Sequence, residues 1–133
     1  MQVAEAMWTD LKVASPQHML MDAITLMTDS HISALPVVDS QRRLVGVLST
    51  TDILQAEAEC SGADDRARLF EQTTVGDLMT PRPAVIQPTA DVKEAAQQML
   101  YLEVHRLFVE EGGRLVGVIS QSDIVRAVAT ARL

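Results

Sequence analysis

Two aspartates carry the clearest chemical potential in the chain. Asp52 and Asp123 each lie three positions beyond a serine, in Ser49-Thr50-Thr51-Asp52 and Ser120-Gln121-Ser122-Asp123. Each motif follows an apolar run of strand character and precedes a helical pattern, so each carboxylate belongs to a first helical turn. A carboxylate there can accept from two adjacent hydroxyls of a ligand, while the free backbone N–H groups of a helix start can hold phosphate oxygens. The same placement also suits a structural part, because an acidic side chain in the first turn complements the helix dipole. On these residues alone both readings stay open.

Other chemistries find less support. His18, His31 and His105 are separated and have no paired cysteine or carboxylate cluster, so no metal site is assigned. The chain has no glycine-rich phosphate loop, nucleophile elbow or Cys-His pair, and the motif serines have no identifiable base; no catalytic residue is assigned. Cys60 is the single cysteine, which excludes an intrachain disulfide and fits a cytoplasmic location. The formal net charge is -7, from 18 acidic and 11 basic residues, with no Lys/Arg run; a nucleic-acid polymer is therefore not an expected partner. A single nucleotide is a different case, since one Arg and a few amides suffice for a local anion site. Residues 1–6 have neither the basic flank nor the apolar core of a signal peptide, and no stretch reaches the length of a membrane span.

The elements that must position the aspartates are duplicated. Arg43-Leu44-Val45-Gly46-Val47-Leu48-Ser49-Thr50-Thr51-Asp52-Ile53 returns as Arg114-Leu115-Val116-Gly117-Val118-Ile119-Ser120-Gln121-Ser122-Asp123-Ile124, with eight of 11 positions identical at an offset of 71. Upstream the offset is 72, pairing Val3 with Val75, Met7 with Met79, Ala23 with Ala95, Met27 with Met99 and Leu35 with Leu107. One residue in the turn between the motifs, Asp39-Ser40-Gln41-Arg42 against Glu111-Gly112-Gly113, absorbs the difference.

Within each copy the hydrophobic period changes in the same order. Val13-Ala14 and Val85-Ile86 read as short leading strands that stop before Pro16 and Pro88. Leu20, Ala23, Ile24 and Met27, and then Val92, Ala95, Ala96 and Met99, fall at helix spacing. Thr89 is the expected cap of the second of these helices. Two strands and a further helix complete each copy as β-α-β-β-α. The domain reading is a first repeat over residues 1–60, a partly helical connector over 61–74 and a second repeat over 75–133. The fold class is α/β, with the two half-sized sheets packed sheet to sheet.

The repeated Gly-x-x-Ser-x-x-Asp segments, preceded by Leu-Pro-Val-Val or Leu-Phe-Val and by Val-Gly-Asp-Leu-Met-Thr-Pro at residues 75–81, resemble the cystathionine beta-synthase (CBS) domain family. The resemblance covers nearly the whole chain as a tandem pair, or Bateman module. It implies two pseudo-symmetric repeats and a regulatory rather than catalytic role. No cofactor is required; the implied ligands are AMP, ADP, ATP, S-adenosylmethionine or an adenine dinucleotide. It also implies a homodimer formed through the repeats.

Carried onto this sequence, the resemblance makes Asp52 and Asp123 the acceptors for ribose hydroxyls, with Ser49, Thr50, Ser120 and Gln121 beside the phosphates. Arg82, Ala84 and Val85 supply backbone and apolar contacts to adenine. His105 and Arg106 precede the central strand of the second copy, where Arg106 serves either as a phosphate partner or as one half of a salt bridge. Ser33 and Ala34 stand at the equivalent places in the first copy, so unequal occupancy of two clefts is expected. The alternative reading is a ligand-independent assembly module in which the aspartates only stabilise turns.

Overall fold

Leu20, Ala23 and Met27 recur at helical spacing, and in the computed structural model, which describes residues 1–131, they are the buried stripe of helix α2 (Leu20–Ser30). Val92, Ala95 and Met99 do the same for α6 (Val92–Leu102). Both helices end on a non-glycine residue in the left-handed region, His31 at φ 55° and Glu103 at φ 56°. The cap of α6 differs from expectation. Asp91, not Thr89, occupies the N-cap, and its Oδ1 accepts from the Lys93 amide at 2.8 Å. A charged acceptor immediately before the apolar stripe meets the free amides that Thr89 lies too far upstream to reach.

The remaining elements complete two three-stranded sheets. In the first, β1 (Ala34–Val38), β2 (Leu44–Ser49) and β3 (Thr80–Pro81) are antiparallel neighbours in that order. In the second, β4 (Val85–Ile86) runs parallel to β5 (Arg106–Glu111), which pairs antiparallel with β6 (Arg114–Ser120). Isolated bridges extend each sheet: Ala14 joins Val37 in the first, and Trp8 joins Val118 in the second. Helix α3 (Thr50–Ala58) follows β2 and helix α7 (Gln121–Ala131) follows β6. Among the described residues no helix is long and apolar enough to cross a membrane.

The chain divides into two compact units that exchange segments relative to the repeats. A first unit comprises Lys12–Arg82, and a second comprises Met1–Leu11 together with Pro83–Leu133. The short helix α1 (Val3–Ala6) therefore serves the second unit, where fully buried Val3 joins Ile86, Ala95, Met99, Leu107, Val109 and Ile119. Its counterpart α5 (Val75–Leu78) serves the first, where Val75 joins Ala14, Ala23, Met27, Leu35, Val37 and Leu48. The backbone contacts match as well. Val3 N–H donates to Ala90 O and Val75 N–H donates to His18 O, both at 2.8 Å.

The stretch between the motifs is largely helix α4 (Ala63–Gln72), which packs against α2 and α3 in the first unit. Leu69 meets the first core, Arg66 pairs with Glu57 at 3.1 Å, and the Arg66 guanidinium lies 5.8 Å from the Phe70 ring centroid.

This exchange makes a crosswise prediction. Val3→Ala should destabilise the protein by roughly 1–3 kcal/mol through lost burial and a residual cavity. In native-state hydrogen exchange its loss of protection is expected in residues 83–130, far along the sequence, while Val75→Ala weakens residues 12–82. Protection lost mainly in residues 12–82 on substitution of Val3 would contradict the assignment.

Candidate functional site

Each Ser-x-x-Asp motif begins as a capping box. At the start of α3, the Ser49 amide and hydroxyl both donate to Asp52 Oδ2, at 2.9 and 3.0 Å, and the Asp52 amide returns a bond to Ser49 Oγ at 3.2 Å. At the start of α7, Ser120 donates to Asp123 Oδ2 in the same way, at 2.8 and 2.9 Å, and Asp123 N–H donates to Ser120 Oγ at 3.2 Å. These bonds satisfy two amides that a helix start otherwise leaves open. They also occupy one oxygen of each carboxylate, so Oδ1 is the oxygen that distinguishes the two sites.

The partners of Oδ1 differ. In the first unit Thr80, on β3, donates its hydroxyl to Asp52 Oδ1 at 2.9 Å. In the second unit Arg126, one turn further along α7, pairs with Asp123 Oδ1 at 3.1 Å. Neither residue was among the candidates read from the sequence. The spacing of Asp123 and Arg126 is a helical i,i+3 pair and could have been found by that rule. Thr80 stands 28 residues from Asp52 and carries no comparable local signal.

The second unit gathers most of the sequence candidates at one end of its sheet. Arg106 opens β5 and is the cross-strand partner of Ser120, the last residue of β6. Burial draws the Arg106 guanidinium below its ordinary pKa. Gln121 N–H donates to the carbonyl of His105 at 3.0 Å, tying the first residue of α7 to the approach of β5. On the other side of β5, Ala84 O accepts from Phe108 N–H at 3.0 Å, and exposed Val85 pairs with Phe108. Strand pairing and backbone bonds therefore place Arg106, Ser120 and Gln121 at one sheet end, with Ala84 and Val85 alongside β5.

The first unit contains Ser49, Thr50, Asp52 and Arg82. Thr50 N–H donates to Ser33 O at 3.0 Å, the counterpart of the Gln121–His105 bond. Ala34, the cross-strand partner of Ser49, stands where the second unit has Arg106. Arg82 is exposed, with φ 56°, and ends the first unit rather than joining Ala84 and Val85 in the second.

A cavity of about 540 Å³ in the first unit lies away from Asp52, lined by residues that include Cys60, Asp65, Arg68 and Leu78. Burial, with the charges of Asp65 and Glu57, raises the Cys60 thiol above its ordinary pKa, which disfavours the nucleophilic thiolate. Among the described residues no group of histidine, cysteine or carboxylates could hold a metal ion.

Comparison with known proteins identifies the family and the fold. The CBS domain family model matches residues 3–59 and again residues 75–130. The chloroplastic CBS domain-containing protein CBSX2 of Arabidopsis thaliana is 29% identical over 139 residues, covering 89% of this chain and 58% of its own length. CBSX1 from the same plant is 31% identical over 139 residues, with 89% and 59% covered. The chain thus spans less than two thirds of the length of these curated relatives. A crystal structure of CBSX2 in complex with AMP superimposes with a TM-score of 0.85 at 30% identity, over 99% of this chain and 98% of that one. Duplicated capping motifs, matching cores and two matches to one family model together place the chain in the CBS domain family, as a tandem pair.

Proposed function

We propose that the chain is a regulatory module of the cytoplasm that binds an adenosine-containing ligand. The observation that carries this reading is the constellation at the sheet end of the second unit. Asp123 offers Oδ1 to ribose hydroxyls, Ser120 and Gln121 open a helix toward phosphate oxygens, and Arg106 is the cross-strand neighbour of Ser120. Ala84 and Val85 provide backbone and apolar surface for a purine. AMP in the complex of the similar protein CBSX2 supports the ligand class. Ser49, Thr50 and Asp52 form the weaker counterpart, with Ala34 where the second unit has its cation; Arg82 belongs to the same unit.

Signal follows from differential binding. A ligand that favours one conformation by roughly 1–3 kcal/mol changes an output several-fold or more. A capping carboxylate that also binds ligand supplies such coupling, since the helix start it stabilises is the surface the ligand touches.

Assembly complements this reading. Leu100 and Tyr101 on α6 are 77% and 86% exposed, and Val125 and Val128 on α7 are 67% and 54% exposed. Apolar side chains so open to water on adjacent helices favour a homodimer through these faces.

Two measurements test the function. At about 100 times its Kd, AMP should stabilise the fold by about 2.7 kcal/mol and raise Tm by roughly 5–10 °C. Asp123→Asn should weaken AMP binding about tenfold or more through loss of a charged acceptor, with a smaller effect from Asp52→Asn; titration calorimetry that finds neither AMP nor another adenosine ligand bound refutes the reading. Tyr101→Lys should convert the dimer to monomer in native mass spectrometry, and a dimer that persists would move the interface off α6.

A further inference from the structure

The two carboxylates share one backbone setting and differ in charge compensation. Asp52 accepts from the Ser49 amide and hydroxyl and from the Thr80 hydroxyl, all neutral donors. Among the described residues it has no ion pair. Asp123 keeps the same two serine bonds but gives its second oxygen to the Arg126 guanidinium. The exchange is visible position by position: Gln55 stands in α3 where α7 has Arg126, and Trp8 stands on the second sheet edge where the first has Thr80. Trp8 turns its indole N–H to Asp10 O at 3.0 Å, so it does not replace the hydroxyl bond.

We propose that this difference sets the ligand class of each site, with the second unit selecting a phosphorylated adenosine and the first favouring an uncharged nucleoside; the proposal rests on the adenosine-binding reading above. A phosphate seated at a helix start lies within a few ångströms of the aspartate in the first turn. Next to Asp52 it meets an uncompensated negative charge. Next to Asp123 it meets a carboxylate already paired with a cation. Arg126 is 68% exposed on its side chain while Asp123 is 13% exposed. The guanidinium carries five N–H donors, more than its bond to Asp123 uses, and its exposure leaves it open to an anion from solvent. Arg126 is thus a specificity residue separate from Arg106: Arg106 is fixed by the strand, whereas Arg126 is set by the helix that carries the carboxylate. In both units a ribose hydroxyl must share Oδ1 with a donor already in place, Thr80 at 2.9 Å from Asp52 or Arg126 at 3.1 Å from Asp123, so the difference between the sites is one of charge.

The test is reciprocal and uses the full chain with AMP and adenosine as probes in parallel calorimetric titrations. Arg126→Gln should lower the AMP-to-adenosine affinity ratio of the tighter site about fivefold, chiefly through AMP. Gln55→Arg should raise that ratio at the weaker site by a similar factor. Thr80→Val, which removes the competing hydroxyl, should tighten adenosine at the first unit without moving AMP selectivity at the second. Raising salt from about 0.1 M to about 1 M should shrink the wild-type AMP preference more than that of Arg126→Gln, which keeps only the half-buried Arg106. A ratio that neither Arg126→Gln nor Gln55→Arg moves would overturn the charge assignment while leaving adenosine binding intact. Failure of wild-type protein to bind either probe would overturn both.

Discussion

The close approach of a chain segment to a glycine on the second long strand of each sheet governs the rest of the architecture. A Cβ at Gly46 would lie 2.6 Å from Met79 Sδ and 3.1 Å from Thr80 O. A Cβ at Gly117 would lie 2.7 Å from Met7 Sδ and 3.0 Å from Trp8 O. The backbone carbonyls in these contacts give way less readily than a side chain does. Glycine lets the edge segment lie this close to β2 or β6 with Met79 or Met7 folded over it, where a Cβ would displace the methionine and press on the carbonyl. Once the edge segment is held there, the short helix before it is held as well, and Val75 or Val3 becomes a fully buried core residue. The glycine of the motif therefore decides where a segment distant in sequence packs. In the first unit it also brings Thr80 to Asp52.

Capping and ligand recognition are commonly set against each other as explanations of an acidic residue in a first helical turn. Here the geometry divides them between the two oxygens of one carboxylate. Oδ2 of Asp52 and of Asp123 is committed to the serine amide and hydroxyl, a reciprocal box that stabilises the helix start. Oδ1 remains for a variable partner. A carboxylate with one oxygen fixed is preorganised, since a ligand hydroxyl meets an acceptor whose rotamer is already paid for by folding. A serine three residues ahead is thus part of the recognition apparatus even where it never touches the ligand.

Much of this was legible in the sequence because the duplicated positions are buried ones. Ala23 and Ala95, Met27 and Met99, and Leu35 and Leu107 were paired by offset, placed on helix or strand by period, and lie in corresponding places in the two cores. The assignment of the short helices to units was not legible, and the reason is physical. Val3 and Val75 are the same residue in the same local pattern, so each fits either core equally well by composition; self-similarity reveals a repeat and conceals which copy a segment completes. The partners of Oδ1 were missed for two other reasons. Thr80 reaches Asp52 only through the Gly46 approach, a tertiary contact. Arg126 is local, but a charged side chain on an exposed helix face has a solvated alternative that sequence does not exclude. The left-handed ends of α2 and α6, at His31 and Glu103, lack the glycine that would have marked them.

The asymmetry between the copies lies where substitution costs the fold little. Truncating a buried leucine or methionine costs about 2–5 kcal/mol, whereas an exposed substitution usually stays within about 0.5 kcal/mol. Thr80 against Trp8 and Gln55 against Arg126 are exposed, and Ala34 against Arg106 is half-buried at a strand end. Val75 against Val3 and Leu35 against Leu107 are fully buried. A duplicated scaffold can thus hold its backbone geometry, and with it the position of both carboxylates, while the charge around each is changed independently. Two sites that share a capping box and a core frame then need not share a ligand, because the core fixes where Oδ1 stands and an exposed neighbour decides the charge it presents.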